Sequence, residues 1–97
     1  MATIIGFDFG ARHLGIAVGD GESRLAHALG VIHAAGNAAR MAEVERLVRE
    51  WQPGRFVVGL PVSLDGGEHQ MTVRARRFAR QLEARFRLPV ELADERL

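Results

Sequence analysis

A chain of 97 residues that is 47% hydrophobic and 26% charged has the composition of one globular domain, which excludes a wholly disordered, collagen-like or coiled-coil protein. No apolar run approaches the ~18 residues of a membrane span, and the absence of cysteine excludes a disulfide framework and a thiolate metal site. The net charge is only +1, but all 13 basic residues are arginine and six of them lie in residues 72–87. From the absence of cysteine and of a membrane span, we expect a cytoplasmic protein with no membrane partner.

The first third of the chain predicts three β-strands joined by short turns. Apolar runs over residues 3–9 and 14–19 flank turn-forming residues at 10–13, a pattern typical of a β-hairpin. A second group of turn residues at 20–23 precedes an apolar run over residues 24–33, which predicts a third strand.

The rest of the chain predicts a helix, a strand, a second helix and a last strand, over residues 37–51, 56–60, 68–86 and 89–93. Asn37 is the predicted N-cap of the first helix, and Pro53 follows its end. The strand at 56–60 is apolar throughout, which is typical of a central strand buried on both faces.

The order βββαβαβ predicts an α/β fold with a mixed five-stranded sheet. Three antiparallel strands are followed by two strands parallel to the first, joined by crossover helices. The ribonuclease H-like architecture has this order. We expect residues 1–97 to form a single domain in which one face of the sheet is short of a helix, and we expect the natural chain to continue.

Acidic residues near the ends of the first and last strands are the first candidates for chemistry. Asp8 lies between two phenylalanines, where a carboxylate would be desolvated unless it is paired or bound to a metal. Asp94 and Glu95 follow the last strand, and parallel strands would bring them to the same sheet edge as Asp8. Since successive residues face opposite sides, only one of the two can share a site with Asp8. The alternatives are that Asp8 is an ordinary turn residue and that Asp94 and Glu95 are two solvated acids.

The second predicted helix has a basic face. Arg76, Arg80 and Arg87 lie opposite its apolar stripe at 100° per residue, and Arg77 lies to one side. Such a face suits contact with a phosphate backbone, although an ordinary solvated helix face has the same pattern. Gly59, inside a predicted strand, indicates the close approach of a ligand or of another backbone.

Several short motifs occur in a fixed order along the chain: FDFG at 7–10, GIAVG at 15–19, VVGLP at 57–61, DG at 65–66, RARRF at 74–78 and DERL at 94–97. Together they resemble the YqgF/RuvX family of pre-16S rRNA nucleases, which are also described as Holliday-junction-resolvase-like. The resemblance covers essentially the whole chain.

The resemblance implies a ribonuclease H-like fold and a metal-dependent phosphodiesterase. Asp8 and Glu95 would be the catalytic residues and the ligands of Mg²⁺ or Mn²⁺, with Asp94 as the alternative ligand. We favour Glu95 because the last strand is predicted to end near Ala93, so that the longer side chain can reach back toward Asp8. A further acid would come from a C-terminal helix after Leu97, and this chain alone is therefore expected to be inactive.

The leading hypothesis is an endonuclease that processes precursor 16S rRNA during ribosome biogenesis. Its nucleic-acid contacts would come from arginines of the first turn and the second helix: Arg12, Arg76, Arg77, Arg80 and Arg87. The alternatives are a resolvase of branched DNA and a noncatalytic RNA-binding assembly factor. The FDFG motif also resembles the first phosphate loop of actin-like ATPases and sugar kinases, but those proteins need a duplicated domain. A homodimer is a further expectation.

Overall fold

The computed structural model describes residues 3–10, 13–20, 26–33, 36–61 and 69–95. Its elements occur in the predicted order: β1 (Thr3–Phe9), β2 (His13–Asp20), β3 (Ala26–His33), α1 (Asn37–Trp51), β4 (Arg55–Pro61), α2 (His69–Phe86) and β5 (Val90–Glu95). The five strands form one sheet in the order β3-β2-β1-β4-β5. β2 is antiparallel to β1 and β3, whereas β4 is parallel to β1 and to β5. The predicted mixed sheet is therefore confirmed.

The ends of α1 show how the chain enters and leaves a helix. Gly36 is the N-cap and no side chain caps the helix, so the prediction of Asn37 as N-cap is wrong; Asn37 already belongs to the first turn. At the other end Gln52 reverses the chain at φ 46°, and its N–H donates to the carbonyl of Val48 at 2.8 Å. Neither helix of the described residues is both long and apolar enough to cross a membrane.

Both helices pack on one face of the sheet. The two crossovers, β3–α1–β4 and β4–α2–β5, advance in the same direction along the sheet, and right-handed connections then place their helices on the same side. Phe78 of α2 meets the ring of Phe7 edge-on at 5.3 Å, which fixes α2 over β1. The core combines alternate strand residues with the inward stripes of the helices: Ile5, Phe7, Phe9, Leu14, Ile16, Val18, Met41, Val44, Leu47, Phe56, Val58, Leu60, Ala75, Phe78, Ala79 and Leu82.

The opposite face of the sheet, called here the uncovered face, has no described element packed on it. Its central part is a shallow cavity of about 330 Å³. Most of the residues around this cavity are small, and they include Gly6, Gly15, Ala17, Gly59 and Ala93. Asp8 lies among them. The fold therefore places Asp8 on the face that the two helices leave open.

Candidate active site

Asp8 lies on the uncovered face of the central strand β1. Phe7 and Phe9 are buried in the core, and alternation along the strand puts Asp8 on the other side, where it is exposed. The predicted desolvation of Asp8 is therefore wrong for this chain, because no described element packs over its carboxylate. Within the described residues the carboxylate of Asp8 has no hydrogen bond or ion pair, and the N–H of Gly10 donates to the carbonyl of His13 at 3.0 Å.

Both strand neighbours of Asp8 are glycines. Gly15 lies opposite Asp8 on β2, and Gly59 lies opposite it on β4. A Cβ atom at position 15 would lie 3.3 Å from the Cβ of Asp8, closer than the ~3.5–4.0 Å of a favourable carbon–carbon contact. The sequence indicates the close approach of a ligand or of another backbone at Gly59. The role of Gly15 was missed, and only the hairpin register, counted outward from the turn, could have revealed it.

One row of paired residues connects Asp8 to the last strand. Asp8 pairs with Gly59, and Gly59 pairs with Ala93 on β5. All three line the cavity of the uncovered face. The strand spacing of about 4.8 Å puts the backbones of β1 and β5 about 10 Å apart in this row.

The last two residues of β5, both acidic, continue the strand beyond Ala93. Asp94 is paired with Leu60 and Glu95 with Pro61, so the predicted end of the strand near Ala93 is wrong. Parallel pairing with β4 extends the strand through both acids. Leu60 is buried in the core, so the register position of Asp94 belongs to the helix-covered face. The register position of Glu95 alternates with that of Asp94 and therefore belongs, like that of Ala93, to the uncovered face.

The uncovered face can offer only part of a metal site from the described residues. No group of three or more His, Cys, Asp or Glu residues in those ranges is placed to hold a metal ion. An exposed carboxylate between two glycines does fit a hydrated divalent cation, because Mg²⁺ is held by one or two carboxylates and keeps several waters. The donor set is compatible with Mg²⁺ or Mn²⁺ and needs further oxygen ligands.

The predicted nucleic-acid-binding arginines divide between two sides of α2. Arg76 and Arg80 line a shallow cavity beside β5, whereas Arg77 lines a pocket that faces α1. Arg87 follows the last residue of α2 and adopts a left-handed φ of 56°, so its predicted position on the helical face does not apply. Arg12 lies outside the described residues.

Two arginines outside the predicted set accompany Arg77. Arg40 and Arg74 line the same pocket between α1 and α2, and the guanidinium carbon of Arg40 lies 5.2 Å from the ring centroid of Phe9. Arg74 precedes Arg77 by about one helical turn, so the spacing could have revealed that pair. Arg40 comes from a different helix, and only the packing of α1 brings it there.

The chain matches one protein family over nearly its whole length. The sequence model of RuvX, described as a Holliday junction resolvase, matches residues 2–97. The chain belongs to the RuvX family. The resemblance inferred from the ordered motifs is thereby confirmed.

RuvX relatives from two bacteria illustrate the similarity. The relative from Nitrosomonas europaea is 50% identical over 94 residues, which are 97% of this chain and 64% of the relative. The relative from Thiobacillus denitrificans is 52% identical over 95 residues, which are 98% of this chain and 66% of the relative. Both carry the provisional name pre-16S rRNA nuclease. The chain thus spans less than two-thirds of the length of these RuvX relatives.

Two solved structures of Thermus thermophilus RuvC share the fold of this RuvX chain. RuvC alone has a TM-score of 0.66 at 20% identity and covers 95% of this chain and 63% of RuvC. RuvC in complex with a Holliday junction substrate has a TM-score of 0.68 at 20% identity and covers 97% of this chain and 65% of RuvC. At this identity the likeness shows the fold alone, and it confirms the predicted ribonuclease H-like architecture.

Proposed function

We propose that the full-length protein is a divalent-metal-dependent endonuclease that hydrolyses phosphodiester bonds in structured nucleic acid. Its proposed substrate is precursor 16S rRNA, in the cytoplasm. The position of Asp8 carries this proposal: an exposed carboxylate on the central strand, between two glycines and on the uncovered face. Membership of the RuvX family supports the nuclease activity, and the names of the relatives support the substrate.

Asp8 and Glu95 are the proposed metal ligands and catalytic residues. The register position of Glu95 supports this choice because it alternates with that of Asp94, which is paired with a core residue. Asp94 remains the alternative ligand. A third acid, expected after Leu97, would complete the site, and we propose that the chain ending at Leu97 is inactive without it.

The divalent cations, when bound, would activate the attacking water and stabilise the leaving oxygen. The chain's own residues prepare the place for that chemistry. Asp8 presents its carboxylate at the carboxyl edge of the sheet, and the glycines beside it carry no side chain that would obstruct an approaching phosphate. Arg76 and Arg80 extend from α2 into solvent, where they would bind backbone phosphates and hold the strand in position.

Branched DNA is the second candidate substrate. The RuvX family is described as a Holliday junction resolvase, and one of the similar RuvC structures contains a Holliday junction substrate. Contacts to phosphate carry no sequence information, so the same arginines would serve RNA or DNA. Cleavage of a precursor 16S rRNA fragment and of a four-way DNA junction, measured side by side under the same conditions, separates the two substrates.

The Asp8→Asn variant of the full-length protein tests the proposed function. Asparagine keeps the shape of the side chain and removes the charge that would bind the metal, so we expect cleavage in Mg²⁺ or Mn²⁺ to fall to background. Asp8 is exposed, so stability should change by no more than about 0.5 kcal/mol, and nucleic-acid binding should persist. Cleavage by Asp8→Asn at the wild-type rate would refute the assignment. RNA binding without cleavage by the wild type in either metal would favour the noncatalytic assembly factor.

A further inference from the structure

The N-terminal end of α1 and the facing side of α2 enclose a pocket of about 260 Å³ on the helix-covered side of the sheet. Three arginines, two amide side chains and an aromatic ring from β1 contribute to its lining: Arg40, Arg74, Arg77, Asn37, Gln81 and Phe9. The residues come from three separate elements, so the fold, and not one run of sequence, brings the positive charges together. We call it the arginine pocket.

The arginines of this pocket differ from three other arginines on the helices. Arg46, Arg49 and Arg85 each donate to a glutamate carboxylate. Within the described ranges, Arg40, Arg74 and Arg77 have no carboxylate partner. Among the described residues, therefore, no carboxylate competes with an external anion for these guanidinium groups.

Two further features favour an anion in the arginine pocket. The first turn of α1 has no acidic residue, and the free N–H groups of a helix N-terminus carry partial positive charge. Arg40 lies over the ring of Phe9 at 5.2 Å, a cation–π contact that restrains the guanidinium without neutralising it.

The size of the pocket limits what it can hold. Pockets for drug-sized ligands measure about 300–1,000 Å³, and this one is smaller. Arginine binds phosphate through paired N–H donors in a planar fork. A single phosphate group fits within this space, and its charge suits the three guanidinium groups that line the pocket.

We propose that Arg40, Arg74 and Arg77 form a phosphate-binding subsite for a backbone phosphate close to the phosphodiester cleaved at Asp8. Phe9, which lines the pocket, follows Asp8 directly, and alternation puts the two residues on opposite faces of the same strand end. A strand of nucleic acid that crosses this edge of the sheet would place one phosphate beside Asp8 and another in the arginine pocket. This subsite rests on the proposed nuclease function for its role, but its chemistry can be measured separately.

Inorganic phosphate is the first probe, titrated into the full-length protein in EDTA at constant ionic strength and followed by NMR shifts. We expect Arg74→Gln and Arg40→Gln each to weaken phosphate binding about tenfold or more, because each removes a charge-assisted hydrogen-bonding pair. Arg46→Gln is the matched control, since it makes the same change of charge on α1 at a paired arginine. Arg74→Lys, which keeps the charge but loses the fork, should be intermediate. Equal weakening by the control, or no weakening by the pocket variants, would overturn the subsite.

Oligonucleotides with and without a 5′-phosphate identify the source of the phosphate. A backbone subsite predicts equal affinity for both and an equal loss of affinity in Arg74→Gln. Tighter binding that requires the 5′-phosphate would overturn the backbone assignment in favour of a chain end. Arginine-dependent phosphate binding in a protein that never cleaves would retain the pocket and refute the nuclease. Cleavage without such phosphate binding would retain the nuclease and refute the subsite.

Discussion

At the residue scale, the candidate site depends on two glycines, which have no side chain. Asp8 is flanked by Gly15 on one strand and Gly59 on the other. Glycine weakens a strand interior because it has no side chain to pack and loses more backbone entropy on folding. Under the proposed function, glycine at both neighbours of the exposed Asp8 carboxylate leaves the space that a hydrated cation and a phosphate require.

The Gly15→Ala variant tests this explanation. The new Cβ would lie 3.3 Å from the Cβ of Asp8, so the carboxylate must shift by a few tenths of an ångström. We expect kcat/KM in the full-length protein to fall about tenfold, since misplacement by about 1 Å can cost about 10²-fold. Gly6→Ala is the control, on the strand of Asp8 itself, because its Cβ would make only an ordinary contact, 3.9 Å from the carbonyl oxygen of Val57. A rate that is unchanged in both variants would show that Asp8 does not need this space.

The choice between Asp94 and Glu95 is a second prediction at this scale. The strand pairing extends through both residues, and the position of Glu95 alternates onto the face of Asp8. We expect Glu95→Gln to lose Mn²⁺-dependent activity and Asp94→Asn to keep most of it, as measured by titrating Mn²⁺ into each full-length variant. The reverse result would mean that the face of β5 has been assigned wrongly.

At the element scale, one surface ion pair connects the two helices. Arg85 of α2 donates to Glu45 Oε1 of α1 at 2.8 Å, and Arg49 donates to the other oxygen of that carboxylate. The hydrogen bond from Arg85, followed by the charge of Arg49, lowers the pKa of Glu45 below its ordinary value of 4.5. Glu45 therefore holds α1 and α2 together most strongly when it is ionised.

Acid titration of stability tests this contact between the helices. Because the folded pKa of Glu45 is lowered, its contribution is complete above pH 4.5 and is lost as the pH falls through the folded pKa. We expect Glu45→Gln to reduce the melting temperature at neutral pH, with a difference from wild type that shrinks below pH 4.5. High salt should shrink it as well, because the pair is exposed. A difference that stays constant down to about pH 3 would exclude the charge as its cause.

The helices and strands were predictable because burial on one face repeats apolar residues at a regular spacing along the sequence. The end of β5 was not, since Asp94 and Glu95 interrupt the apolar run and their pairing depends on β4 beside them. Asp8 was identified from its place between two phenylalanines, but its exposure depends on what packs over the sheet. The arginine pocket could not be predicted either, because Arg40 reaches it only through the packing of α1.

At the scale of the whole molecule, charge and burial are divided between opposite sides of the sheet. One face is closed by α1 and α2 over a continuous apolar core, and the other exposes Asp8 above a floor of small residues. The excess of arginine lies on α2 and just after it. A nucleic acid could therefore contact basic residues of α2 while its backbone reaches the acidic edge of the sheet.

The salt dependence of binding tests whether the basic residues on α2 and just after it contact phosphate. Each phosphate contact releases counterions and contributes about −0.9 to the slope of log K against log salt on duplex DNA. Changing Arg76, Arg80 and Arg87 together to Gln should weaken binding to every sequence and reduce the magnitude of the slope by up to about 2.7, if all three contact phosphate. Fluorescence anisotropy with a labelled duplex, over a series of salt concentrations, measures both effects in the full-length protein.

A control triple variant separates contact from net charge. Arg46, Arg49 and Arg55 are also exposed, but each is paired with a glutamate, and their change to Gln alters the net charge by the same amount. If phosphate contacts cause the reduced slope, the control variant keeps nearly the wild-type slope. The number of counterions released is then determined by local contacts with phosphate and not by the overall charge of the protein. Equal flattening in both triple variants would mean that overall charge attracts the nucleic acid. An unchanged slope in the first variant would mean that Arg76, Arg80 and Arg87 are simply solvated.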